Sequence, residues 1–290
     1  GTAEPGARRG DGREIPTLVL LPLLHRGLEE YASDDALEAI TAQDKWERFA
    51  ELAAMPAVDL QQLLQQHAQD RWRQKVHFAK LRIARLGWTA AHHTALEILG
   101  YRHNRAPMLT VAAKYPFHAW GNGIAPADVF AESGALWQTQ GVRPANHPLA
   151  RLRQYQRWVT AQPDWPAQLR HIAGTLPNSG TVTTPTKPAR ETLGLKKLRE
   201  VFARDICGGA VGGTRLDNLV CDGFLPLMAA QTGHDLSAVW YHWFLGDAPA
   251  QLRTALTKLG VAGRGAQPLC HGCAQGLLGW ILERETRASG

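Results

Sequence analysis

The sequence predicts a mainly α-helical protein, an irregular multi-helix bundle with one short N-terminal strand. Apolar residues recur at helical spacing through most of the 290 residues, and the breaks between those runs are marked by Gly, Pro or Asn. No repeat of about 20 to 50 residues stands out, so the helices need not stack as a regular solenoid. A hydrophobic content of 44% is enough to bury a sizeable core.

Residues 1–14 are rich in Gly and Arg and read as a flexible lead. Ile15-Pro16-Thr17-Leu18-Val19-Leu20-Leu21 is β-branched and apolar and predicts the strand, with no obvious partner nearby. After Ser33-Asp34-Asp35, a capping sequence, the spacing of Leu37, Ile40, Trp46, Phe49 and Leu52 predicts a helix that Pro56 ends. A longer helix is predicted over 60–86. Trp72, Val76, Ala79, Ile83 and Leu86 share its buried face, and Arg71, Lys75, Arg82 and Arg85 form an adjoining positive stripe beside Phe78. Shorter helices are predicted over 89–99, 107–114, 126–137 and 148–161. The Pro-, Gly-, Ser- and Thr-rich stretch 174–192 is predicted to be a loop or linker, dividing a helical unit of residues 15–173 from a C-terminal helical unit of 193–290. Within the latter, helices are predicted over 193–206, 216–232, 236–245, 249–259 and 268–286.

Lys and Arg number 32 against 26 Asp and Glu, a formal charge of +6 with a pI near 9.3. That balance favours anionic partners, nucleic acid among them, and equally fits a solvated basic surface. No stretch approaches the roughly 18 to 20 apolar residues of a membrane span, and the N-terminal residues hold no hydrophobic signal core. The expectation is a cytoplasmic protein without a membrane partner. Four cysteines in a chain this long do not make a disulfide framework, which leaves reduced thiols or metal ligands.

Cys270-His271-Gly272-Cys273 has the two-residue gap that lets two thiolates grip one metal, and Cys207 and Cys221 would complete a set of four soft ligands for zinc or an iron-sulfur cluster. Small buried thiols and a redox pair are the other readings. His92, His93 and His103 lack a carboxylate at the spacing of a zinc hydrolase and read as packing or surface residues. The run Gly208-Gly209-Ala210-Val211-Gly212-Gly213 lacks the Lys-Ser/Thr ending of a phosphate loop and reads as a helix connection. Asp217 and Asp222 have no matching third group.

Around Arg143-Pro144-Ala145-Asn146-His147-Pro148 the prolines stiffen the backbone, and Asn146 is expected to cap the next helix. Capping does not explain Arg143, nor Arg151, Arg153 and Arg157 beside Tyr155 and Trp158. Arg forks next to aromatic faces suit phosphates and unstacked bases.

Several of these segments also resemble the bacterial group called domain-of-unknown-function family 2851. The matching pieces are Ile15-Pro16-Thr17-Leu18, Leu99-Gly100-Tyr101-Arg102-His103-Asn104-Arg105-Ala106-Pro107-Met108, Arg143-Pro144-Ala145-Asn146-His147-Pro148 with Arg151, and Cys270-x-x-Cys273 leading into Gly276-Leu277-Leu278. Three departures stand out. Residues 261–269 lack the further Cys usual in the family, Asp222 replaces its more frequent Asn, and the stretch between Leu136 and Arg143 is short. The resemblance implies that a nuclease-like region precedes the Ile-Pro-Thr-Leu strand and that the present sequence is the C-terminal helical part, without the nuclease carboxylates.

Three function classes follow. The first is a non-catalytic helical module that binds nucleic acid or supports a nuclease-like partner region, using Arg71, Lys75, Arg82, Arg85, Arg143, Asn146, Arg151 and Arg157. The second is an enzyme with a polar site around Tyr101, Asn104, Arg143, Asn146 and His147. The third is a protein-interaction scaffold, which a broad exposed apolar patch would favour.

Overall fold

The computed structural model describes residues 49–288 apart from 177, 181, 183–184 and 263–266. The lead over 1–14, the strand at Ile15 and most of the helix expected before Pro56 lie outside the described residues. Within them the chain is mostly helical and holds no strand; Phe244 and Cys270 form an isolated antiparallel bridge.

The helices are α1 (Ala50–Ala54), α2 (Ala57–Leu86), α3 (Ala90–Leu99), α4 (Tyr101–Lys114), α5 (Phe117–Gly121), α6 (Pro126–Glu132), α7 (Pro148–Ala161) and α8 (Trp165–Thr175). After these come α9 (Thr186–Thr192), α10 (Leu195–Val201), α11 (Gly213–Asn218), α12 (Leu225–Thr232), α13 (Ser237–His242), α14 (Ala250–Lys258) and α15 (His271–Ala288). Helix α10 runs into a π-helical turn at Phe202–Ile206, and a second π turn, Leu219–Phe224, joins α11 to α12. Expectation and structure differ most where short helices carry little periodic signal. Helices α5, α8 and α9 fall between the predicted segments.

Helix α2 is long because nothing inside its 30 residues breaks it: Pro56 precedes the first turn, and Gly87 at a φ of 59° ends the last. Its buried stripe is Leu60, Leu64, Ala68, Arg71, Trp72, Lys75 and Ala79, at steps of mostly three and four residues. Against that stripe lies α15. A Cβ on Gly276 would meet the Leu64 carbonyl oxygen at 2.2 Å, so a glycine lets the two backbones touch. Helix α12 also packs on α2.

An aromatic core forms beside this seam. Trp158 and Trp165 have ring centroids 4.6 Å apart, Trp120 meets Tyr155 edge-on at 5.0 Å, and Phe224 of the second π turn packs on both Trp158 and Trp165. His92 joins it as a packing residue, with Nδ1 2.6 Å from the Tyr155 hydroxyl and Nε2 3.1 Å from the Tyr115 carbonyl. Burial pushes its pKa down to about 4.

The stretch 174–192 is not an open linker. It contains α9, and its described loop residues hydrogen-bond to distant segments: the Ser179 N–H donates to the Asp235 carbonyl at 2.9 Å, and Gln65 Nε2 donates to the Val182 carbonyl at 3.3 Å. Residues on both sides of it share one buried cluster from Phe49 to Ile281. Among the described residues no helix is long and apolar enough to cross a membrane.

Candidate anion-binding site

A cavity of about 520 Å³ opens where the first turn of α15, the middle of α2, the start of α4 and the second π turn meet. Helix α2 supplies Arg71 and Lys75, which share a face because they are four residues apart. Helix α15 supplies His271, Ala274, Gln275 and Leu278 from its opposing face, and Arg71 Nε donates to Gln275 Oε1 at 2.6 Å. Helix α4 brings Tyr101 and Arg105. Tyr101 has a φ of 57°, a left-handed value rare for a bulky residue, and the helix kinks at Asn104.

Asn104 itself is structural. Its side chain exchanges hydrogen bonds with both backbone groups of Gln138, at 2.9 and 3.0 Å, and so anchors the chain leading to Gly141, Val142 and Arg143 at the cavity rim.

The expectation that Asn146 caps α7 is corrected. No side-chain cap is made there, and Asn146 Oδ1 instead accepts from Arg151 Nη2 and, at 3.1 Å, from Arg215 Nη2. Two guanidinium groups, each 8% exposed, therefore share one neutral acceptor. Arg151 also donates to Gln154 at 2.6 Å. Arg215 pairs with Asp247 at 3.3 Å and lies 4.6 Å above the Tyr101 ring. The Nε of both is buried without a hydrogen-bond partner. Burial and then the neighbouring Arg215 charge lower the Arg151 pKa to about 10, and burial lowers that of Arg215.

Asp222 sits in the cavity wall because the π turn carries it toward Lys75, 2.9 Å away. Burial opposes its ionisation, but Lys75, through its charge and a hydrogen bond, and the charge of Arg105, joined by His271 once that ring protonates at low pH, outweigh it and hold its pKa at about 2. His271 is fixed edge-on against Trp240 at 4.8 Å. Burial keeps it neutral, with a pKa of about 4, and its Nε2 has no hydrogen-bond partner.

The described lining thus holds Arg71, Lys75, Arg105, Arg143 and Arg215 against Asp222 and Asp247, and both carboxylates already serve a cation. The surplus is positive and partly removed from water, where charge interactions are strongest. The charge of this lining is complementary to that of a compact anion.

The eight residues expected to bind anions separate in space. Arg71, Lys75, Arg143 and Asn146 line the cavity, and Arg151 stands behind Asn146. Arg82 turns to Glu97 and Thr94, each at 2.7 Å, in a smaller cleft, while Arg85 and Arg157 are exposed and line neither. The positive stripe on α2 is therefore not a surface stripe: Arg71 and Lys75 are 7% and 9% exposed. Tyr155 and Trp158 are fully buried, which removes them as stacking platforms for bases. Of the polar set expected for an enzyme site, Tyr101, Arg143 and Asn146 converge. His147 instead packs on Phe130, with ring centroids 5.4 Å apart. Arg105, Arg215 and Asp247 were not singled out as site residues, and Asp222 and His271 appear in other roles.

The four-cysteine metal set is also corrected. Cys270 and Cys273 are adjacent, but among the described residues no group of three or more His, Cys, Asp or Glu is placed to hold a metal ion. Cys207 and Cys221 are buried at the end of the first π turn and within the second, where burial pushes both thiols up. No family model, curated protein or solved structure matches this chain.

Proposed function

We propose that this protein binds a phosphate-bearing ligand in the cavity between α2, α4, α15 and the second π turn. The observation that carries this reading is the pair Arg151 and Arg215, buried side by side on one shared Asn146 oxygen next to four further cavity cations, Arg71, Lys75, Arg105 and Arg143. Two like charges held together out of water leave a local surplus that a dianion would relieve, and the Arg fork matches phosphate oxygens.

The volume of about 520 Å³ falls in the ordinary range for small-molecule pockets, roughly 300 to 1,000 Å³. It suits a nucleotide, a sugar phosphate or the terminal phosphate of a single strand rather than a duplex backbone. Of these sources, the resemblance to domain-of-unknown-function family 2851 favours a nucleic-acid end, presented by a nuclease-like partner region.

The test is titration calorimetry with inorganic phosphate, a nucleoside monophosphate, and the same oligonucleotide with a 5′-phosphate or a 5′-hydroxyl. Binding of the phosphate-bearing members, weakened in Arg215→Ala, is expected. Repetition at about 50 and 200 mM salt separates the sources, because backbone contacts along a strand lose orders of magnitude over that range and a single enclosed phosphate loses far less. No heat from any of the four ligands at low salt would overturn the reading.

A further inference from the structure

The thiols of Cys270 and Cys273 lie 2.8 Å apart, at the threshold and in the first turn of α15. Their surroundings differ from those of the other two cysteines. The Cys273 N–H points to Cys270 Sγ at 3.4 Å, and the 18-residue helix beyond it places its positive end there.

The guanidinium of Arg190 is fastened beside the pair by three carbonyls, those of His242, Trp243 and Leu269, at 2.8, 3.2 and 2.7 Å. The Tyr241 hydroxyl is 3.7 Å from Cys273 Sγ. Burial disfavours the Cys270 thiolate, but contacts with Cys273, Thr186 and Arg190 outweigh it and lower the pKa, while that of Cys273 is raised by Cys270 and by burial. The Cys270 sulfur is thus the one whose surroundings favour the thiolate, and Cys273 the one whose surroundings favour the thiol.

We propose that Cys270 and Cys273 form a hydroperoxide-sensitive dithiol that closes reversibly to an intramolecular disulfide. The Cys270 thiolate attacks one peroxide oxygen; the S–O bond forms, the O–O bond breaks, and the departing oxygen leaves as an alcohol, or as water from hydrogen peroxide, after taking a proton. The Cys273 sulfur then attacks the sulfenic sulfur. The S–S bond forms, the S–O bond breaks, and the departing hydroxide takes the Cys273 proton as a second water. Two thiols lose two electrons and one peroxide gains them. A hydroperoxide suits the site because Cys270 is fully buried and Cys273 is 7% exposed, so a bulky disulfide cannot approach. This proposal is independent of the ligand in the cavity.

The test treats the reduced full chain with stoichiometric hydrogen peroxide, traps the remaining thiols with a maleimide under denaturing conditions, and maps the peptides by mass. The expected result is a peptide containing 270 and 273 that has lost two hydrogens, restored by a dithiol reductant added with denaturant, while Cys207 and Cys221 carry the label. Cys270 should be lost roughly tenfold faster than Cys207, because reactivity follows thiolate character. In Cys273→Ser the reaction should stop at a sulfenic acid that dimedone, added together with denaturant, captures on Cys270. Full labelling of all four cysteines after peroxide, or equal loss of Cys207 and Cys270, would overturn the proposal, and the wild-type mapping decides this even if a variant fails to fold.

Discussion

Helix α7 passes from the cationic cavity at its first turns to the aromatic core further along, and the two regions treat one stripe of the helix in opposite ways. Arg151, Leu152, Tyr155, Trp158 and Val159 are all buried, so Arg151 is in register with the core residues rather than with the exposed Arg153 and Arg157. At the cavity end the stripe meets Asn146 and Gln154; at the core end it meets Trp120, Trp165 and Phe224. Helix α2 repeats the lesson, with Arg71 and Lys75 set among Leu64, Ala68, Trp72 and Ala79. A cation in register with a buried apolar stripe marks a polar cavity, whereas a cation out of register marks solvent.

The contrast can be broken most forcefully at its core end. Trp158→Ala should lower stability by about 3 to 5 kcal/mol, read from denaturant unfolding, because a fully buried indole and its hydrogen bond to Ile206 are lost. At the cavity end the expectation reverses. Arg215→Ala should weaken phosphate binding about ten- to a hundredfold, the range for hydrogen bonds to a charged group, with a smaller shift in unfolding midpoint than Trp158→Ala.

Titration sharpens the comparison further. His92 in the core and His271 in the cavity wall both have pKa values lowered to about 4 from 6.5. Between those values the unfolded ring takes up a proton that the folded ring refuses, so stability falls as the pH falls through that window. Each ring contributes a slope of at most about 1.4 kcal/mol per pH unit. His271→Gln should remove one such contribution from the stability profile measured between those pH values. The Asp222 carboxylate acts lower, its stabilisation being lost as the pH falls from 3.8 toward 2. The smallest effect belongs to Arg157→Ala, which should leave phosphate affinity within error and stability within about 0.5 kcal/mol, as for an ordinary surface site.

Much of the helical architecture was legible because long elements carry their own period: α2, α7 and α15 fall close to their expected spans, each ended or begun by Pro, Gly or a bridge residue. Register with the apolar residues separates Arg71, Lys75 and Arg151, which are buried, from Arg85 and Arg157, which are exposed. Other parts of the site were not legible. Arg215 and Asp247 reach the cavity from segments far from Asn146 in sequence, and Asp222 depends on a π turn that shifts side-chain phase in a way no regular helical period anticipates. Asn146 differs from the expected cap because it ends a short 3-10 turn one residue ahead of the His147 cap position of α7, where its oxygen meets two guanidinium donors rather than a backbone N–H.

The close seating of Gly276 on the Leu64 carbonyl has a kinetic consequence. The walls that carry Arg71, Lys75, His271 and Gln275 belong to two helices packed at backbone distance, the tightest packing next to the cavity that a glycine permits. On the opposite side Gly141, at a φ of 70° with open space around it, precedes the exposed Arg143 at the rim. For the phosphate ligand proposed above, stiffening Gly141 is therefore expected to change the rates of association and release before it changes affinity.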